Sequence, residues 1–80
     1  MPTVLRIGPY RFHFYVADGH EPPHMHVDRD DKELKIWLRP VRLARNDGFT
    51  NSEARKIVSH AKRYELELLR AWYVQFPGQK

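Results

Sequence analysis

The hydrophobic period of this chain changes once, at Asn46-Asp47-Gly48. Before that turn apolar side chains recur at every second residue, and after it at every third or fourth. A period of two is a strand with one face inward, and a period near 3.6 is a helix. Strands first and helix afterwards make an α+β domain rather than an alternating βαβ one.

Tyr10 to Val16 is the clearest strand, with Tyr10, Phe12, Phe14 and Val16 on one face and Arg11, His13 and Tyr15 on the other. Thr3 to Ile7 forms an earlier strand ended by Gly8-Pro9, a turn dipeptide. Ala17 to Pro23 reads as a loop holding Asp18-Gly19 and the stiff Pro22-Pro23 pair, where a cis bond would suit a tight entry. His24 to Asp28 alternates again, with Met25 and Val27 opposite His24, His26 and Asp28. Glu33 to Leu38 sends Leu34, Ile36 and Leu38 inward and Glu33, Lys35 and Trp37 outward. Arg39-Pro40 interrupts the pattern, because proline cannot donate to a ladder, and Val41 to Ala44 follows as a short edge strand.

Thr50-Asn51-Ser52-Glu53 matches the capping box that opens helices. Ala54, Ile57, Ala61, Tyr64, Leu68 and Trp72 then make a helical stripe that stops at Phe76-Pro77-Gly78. The spacing predicts one bent helix over about 51–76, or two helices parted near His60 to Arg63. The expected fold is a single α+β domain over residues 1–80. It is a two-layer sandwich in which a three- to four-stranded antiparallel sheet, about 3–44, precedes the helical part.

A chain of 80 residues buries only about 60% of its unfolded surface, so the core is thin. With no cysteine, neither a disulfide nor a thiolate zinc site reinforces it. No leader pattern precedes the first strand, and no apolar run approaches the roughly 20 residues that cross a bilayer, so cytoplasm is expected. The net charge of +4 is uneven: residues 1–40 balance, whereas 41–80 hold eight basic and four acidic side chains. That half can attract nucleic acid or an acidic protein. No glycine-rich phosphate loop, dinucleotide fingerprint or nucleophile elbow is present, which argues against nucleotide-dependent enzymes and serine hydrolases.

With helices on one face of the sheet, the other face collects Arg11, His13, Tyr15, His24, His26, Asp28, Glu33, Lys35 and Trp37. Histidine suits proton transfer near neutral pH and holds divalent metals. Three readings of His24-Met25-His26 stand open: metal ligation, with Asp28 or His20 as a third ligand; metal-free acid–base work on RNA; and hydrogen bonding to loop backbone. On the RNA reading His24 and His26 are catalytic, as in a ribonuclease. Arg11, Lys35 and Arg42 then hold phosphates, and Tyr15 and Trp37 stack bases. Lys56, Arg63 and Arg70 recur at seven residues along the helix, as a solvated basic edge. Trp72, Tyr73 and Phe76 exceed what a thin core needs, so part of that cluster is a candidate partner surface, for a second protein or a homodimer.

The runs Met1 to Gly8, Tyr10-Arg11-Phe12, Glu21-Pro22-Pro23-His24-Met25-His26-Val27 and Lys35-Ile36-Trp37-Leu38 resemble bacterial domain-of-unknown-function family 4160. The likeness continues through Gly48-Phe49 and Glu53 to Leu68-Leu69 and Ala71-Trp72, covering nearly the whole chain. Members of that family are commonly encoded beside a second small family, number 2442, in an arrangement that looks like a toxin–antitoxin module. The resemblance implies a bacterial cytoplasmic domain with a cognate small protein partner, and His24 and His26 match its hallmark. The leading expectation is a toxin-like component acting on RNA through a histidine-rich sheet face. The alternatives are a non-catalytic module docking an acidic partner, and a histidine-ligated metal domain.

Overall fold

Alternating apolar residues lay down five strands: β1 (Thr3–Ile7), β2 (Tyr10–His13), β3 (His24–Arg29), β4 (Lys32–Leu38) and β5 (Val41–Asp47). In the computed structural model, which describes residues 3–79, each strand pairs antiparallel with its sequence neighbour. The sheet is therefore an open meander of five strands, where three or four were expected. It also runs past residue 44, because Arg45, Asn46 and Asp47 pair with Lys35, Leu34 and Glu33. Ladder hydrogen bonds there override the weak strand propensity of Asn and Asp.

β2 is shorter than the alternation suggested. It stops at His13, and Val16–His20 coils into a 3₁₀ turn. Asp18 is the cause: its Oδ2 accepts the Tyr15 backbone N–H at 2.9 Å, offering the chain a local alternative to the ladder. In the β3–β4 turn Asp30 takes the left-handed conformation (φ 56°), which a short polar side chain tolerates. The Arg39–Pro40 peptide between β4 and β5 is cis, whereas Pro22–Pro23 is not among the cis bonds.

The helical part is two helices, α1 (Asn51–Arg63) and α2 (Glu65–Gln75), parted at Tyr64 (φ −106°, ψ 22°), one residue beyond the expected region. Thr50 caps α1 by accepting the Glu53 N–H at 3.1 Å. Glu53 does not reach back to complete the box. Its carboxylate takes the Tyr10 hydroxyl at 2.7 Å and the Arg29 guanidinium, tying β2 and β3 to the start of α1. Ala54, Ile57, Ala61, Leu68 and Trp72 from the helices and Phe12, Val27, Leu34, Ile36 and Leu38 from the sheet form one buried cluster. No helix among the described residues is long and apolar enough to cross a membrane.

Leu34 is fully buried between sheet and helices, whereas Leu66 points outward from α2. Leu34→Ala is expected to cost about 2–5 kcal/mol by urea unfolding, and Leu66→Ala about 0.5 kcal/mol or less.

Candidate functional site

Register brings the histidines together. Pairing of β2 with β3 sets His13 opposite His26, and pairing of β3 with β4 sets His24 opposite Trp37. The expectation of an open, solvated face is corrected at this point. His13 and His24 are fully buried and His26 nearly so. The segment 15–23 folds over them, and the C-terminus holds it down. Gln79 donates from Nε2 to the carbonyls of Gly19 (2.8 Å) and Glu21 (2.6 Å), while its Oε1 accepts the Trp72 indole N–H at 2.5 Å. The Phe76 ring lies so near Gly19 that a Cβ there would fall 2.5 Å from it, so any other residue would have to displace that ring. Of the aromatic cluster considered as a partner surface, Trp72 faces inward, buried and 4.9 Å from the His24 ring, with half-buried Phe76 at a tilt on it. The hydroxyl of half-buried Tyr73 instead accepts from Arg39 Nη1 at 2.7 Å on the surface.

Beneath the turn two imidazoles converge on one carboxylate. His24 Nε2 is 3.1 Å and His26 Nε2 3.2 Å from Asp18 Oδ2. His24 Nδ1 lies 2.9 Å from the Pro22 carbonyl, which can only accept, so the ring proton sits on Nδ1. In the neutral ring the Nε2 lone pair then faces a carboxylate oxygen. His24 Nε2 is buried and, among the described residues, has no well-aligned hydrogen bond, with Asp18 Oδ2 at 3.1 Å. Two acceptors at that distance repel unless a positive charge lies between them, either a second ring proton or a metal ion. Metal bonds of about 2.0–2.1 Å at tetrahedral angles would set donor atoms about 3.3 Å apart, close to what is seen.

Charge at the cluster is biased toward ligation. Burial pushes the Asp18 carboxyl upward, but the Tyr15 N–H and the two imidazoles outweigh it and hold the acid below its ordinary value. Burial lowers His26 below the ordinary histidine value, against the pull of Asp18. At neutral pH the imidazole of His26 is therefore neutral, and the Tyr15 N–H at 2.9 Å and the His26 Nε2–H at 3.2 Å both donate to Asp18 without a ring charge. An ionised carboxylate with two imidazoles is a donor set that divalent transition metals accept, with coordination positions left open.

A second group adjoins the first. His13 Nε2 is 2.8 Å from Asp28 Oδ2, the same oxygen that Arg11 contacts at 3.0 Å, and Glu33 lies within reach. The His13 and His26 rings stack at 5.6 Å, and Tyr15 closes over both at 5.4 and 4.8 Å. Asp28, expected as the third ligand beside His24 and His26, belongs to this second group, and Asp18 takes its place in the first. The reason is strand rise: each second residue moves about 6.6 Å along β3, so Asp28 sits beyond reach of His24 while the turn delivers Asp18 between the rings. His20 hydrogen-bonds the Ala17 carbonyl in the turn, exposed and outside both groups.

The expected RNA-contacting residues divide. Lys35 is engaged by Glu21 at 2.6 Å and lies 4.6 Å over the Trp37 ring. Arg11 is engaged by Asp28. Tyr15 is 41% exposed, and half-buried Trp37 meets His24 edge-on at 5.7 Å, so the two aromatics flank the cluster. Arg42, exposed and opposite Trp37, joins Arg39, Pro22 and Pro23 around a cleft of about 200 Å³. Larger hollows, of about 560 Å³ at the junction of the two helices and about 620 Å³ between β5 and α1, contain none of the clustered histidines or carboxylates.

His26 and Asp18 both have lowered folded-state values, so each contributes stability above its unfolded pKa that disappears as pH falls through the folded one. The melting temperature is expected to drop in two stages, first below the ordinary histidine value of 6.5 and then below the ordinary aspartate value of 3.8. In His26→Gln the first stage should shrink. A wild-type profile flat from pH 7 to 4.5 would contradict this.

No curated protein and no solved structure matches the chain significantly. The sequence model of one family, described as Domain of unknown function (DUF4160), matches residues 10–73. That span includes β2 to β5, both histidine groups, α1 and most of α2, and leaves out β1. The chain belongs to the DUF4160 family, and Asp18, His13, His24 and His26 all lie within the matched region.

Proposed function

We propose that this chain is a metal-dependent domain that acts on RNA, with Asp18, His24 and His26 holding a divalent cation. The carrying observation is the opposition of His24 Nε2 and Asp18 Oδ2 at 3.1 Å inside a buried site, which a cation relieves. Three protein donors leave room for water or a phosphate oxygen, and a bound cation would activate the water or polarise the phosphate. Tyr15 and Trp37 on either side of the cluster are sequence-tolerant stacking surfaces for unpaired bases. Arg42 and Arg39 beside Trp37 supply phosphate contacts, and Lys35 and Arg11 join them only by exchanging their present carboxylate partners. A toxin-like role in a bacterial, cytoplasmic two-gene module, beside a cognate small protein, is the biological setting that the family resemblance supports.

A second reading has its own observation. Arg42, Arg55 and Lys62 make no ion pair among the described residues, and they line the hollow of about 620 Å³ between β5 and α1 together with Val41, Leu43 and Val58. A basic, part-apolar groove beside an edge strand suits an acidic protein partner.

The first reading is tested by incubating the full chain with labelled single-stranded RNA, after chelation and again with added Zn²⁺ or Mn²⁺. Cleavage is expected only with metal. It should fall by about 100-fold or more in a folded His24→Ala variant, more than loss of a mere orienting partner causes. Metal-independent cleavage, or no cleavage and no salt-sensitive binding, would overturn it; the latter result together with co-purification of an acidic cognate protein favours the second reading.

A further inference from the structure

We infer that the histidine–carboxylate cluster is a two-cation centre, in which His13, Asp28 and Glu33 form a second divalent-metal site next to that of Asp18, His24 and His26. The inference rests on the proposed role of the Asp18 group and extends it. His13 is fully buried, yet among the described residues neither of its ring nitrogens has a hydrogen-bond partner. Nε2 comes within 2.8 Å of Asp28 Oδ2 without the alignment of a hydrogen bond. A buried imidazole with both nitrogens unmet is costly, and a cation on Nε2 would remove the Nε2 share of that cost while bridging it to the carboxylate. One donor atom from each of His13, Asp28 and Glu33 falls within 4.8 Å of the others, as it does for Asp18, His24 and His26.

His26 links the two sites. Its Nε2 faces Asp18, and its Nδ1, also buried and without a partner, faces Glu33 Oε2 at 3.9 Å. In this structure the Nε2–H hydrogen-bonds Asp18 Oδ2 at 3.2 Å. A cation at the first site would take that nitrogen and leave the ring proton on Nδ1, on the Glu33 side, the carboxylate–histidine–metal arrangement that orients ligands. Two guanidiniums compete at the second site: Arg11 on Asp28 Oδ2 at 3.0 Å and Arg45 near Glu33 Oε1 at 3.5 Å. They already offset part of the carboxylate charge, so the second cation binds more weakly than the first. The ligand class is a borderline divalent ion that accepts imidazole and carboxylate together, such as Zn²⁺ or Co²⁺.

Co²⁺ titration of the metal-free full chain, with visible absorption and equilibrium dialysis as readouts, tests this. The wild type is expected to take two equivalents, the second about 10-fold or more weaker. His13→Gln and Glu33→Gln should each retain the tighter equivalent alone, and Asp18→Asn should lose it. Because His13 is buried, circular dichroism checks its variant for folding, and half-exposed Glu33 provides the substitution least disturbing to the fold. A single equivalent lost in Asp18→Asn would overturn the second site and leave the first standing. Two equivalents undiminished in both His13→Gln and Glu33→Gln would overturn it as well, and no bound Co²⁺ at all would overturn both sites.

Discussion

Imidazole rings buried in a domain this small need an acceptor, a donor or a cation at every ring nitrogen, and that requirement organises the second face of the sheet. The first face is solved by area alone, since Phe12, Val27, Leu34, Ile36 and Leu38 meet helix residues that are equally apolar. The second face has no such easy solution. It buries His13, His24 and His26 and surrounds them with Asp18, Asp28 and Glu33. The Pro22 carbonyl settles the tautomer of His24, and from that one hydrogen bond follows the opposition of lone pairs against Asp18.

The cover over the histidines is assembled from opposite ends of the chain. Asp18 bends the segment after β2 by capturing the Tyr15 N–H, and Gln79 holds the same segment through the Gly19 and Glu21 carbonyls some sixty residues later in sequence. Trp72 connects the two purposes. Its indole N–H fixes Gln79, while its ring packs against Phe14 in the core and His24 at the site. Core and site therefore share a side chain, so a change at Trp72 is expected to disturb both packing and the geometry of the histidines.

Electrostatics separates the two carboxylate–histidine groups by function. The first has an ionised Asp18 and no guanidinium upon it, and the second has Arg11 and Arg45 on its acids. That asymmetry gives the Asp18 group the greater appetite for an added cation. The aromatics at its rim, Tyr15 and Trp37, lie 4.8 Å from the His26 ring and 5.7 Å from the His24 ring.

What the sequence by itself determined is the class of fold and the identity of the histidine strand. Alternation in Tyr10 to Phe14, His24 to Asp28 and Glu33 to Leu38, and the stripe from Ala54 to Trp72, are periodic signals that local geometry converts directly into elements. The same alternation put His24 and His26 on one face with Lys35 and Trp37 as cross-strand neighbours. Tertiary structure decided whether that face was open, because closure depends on Asp18 and Gln79, which carry no periodic signal. It also decided which acid joined which histidine: Asp28 shares a strand with His24 and His26, yet strand rise carries it away from His24, while the turn brings Asp18 back across eight residues to His26. The extra length of β5 and the break at Tyr64 were likewise matters of long-range pairing and packing, which local propensity does not contain.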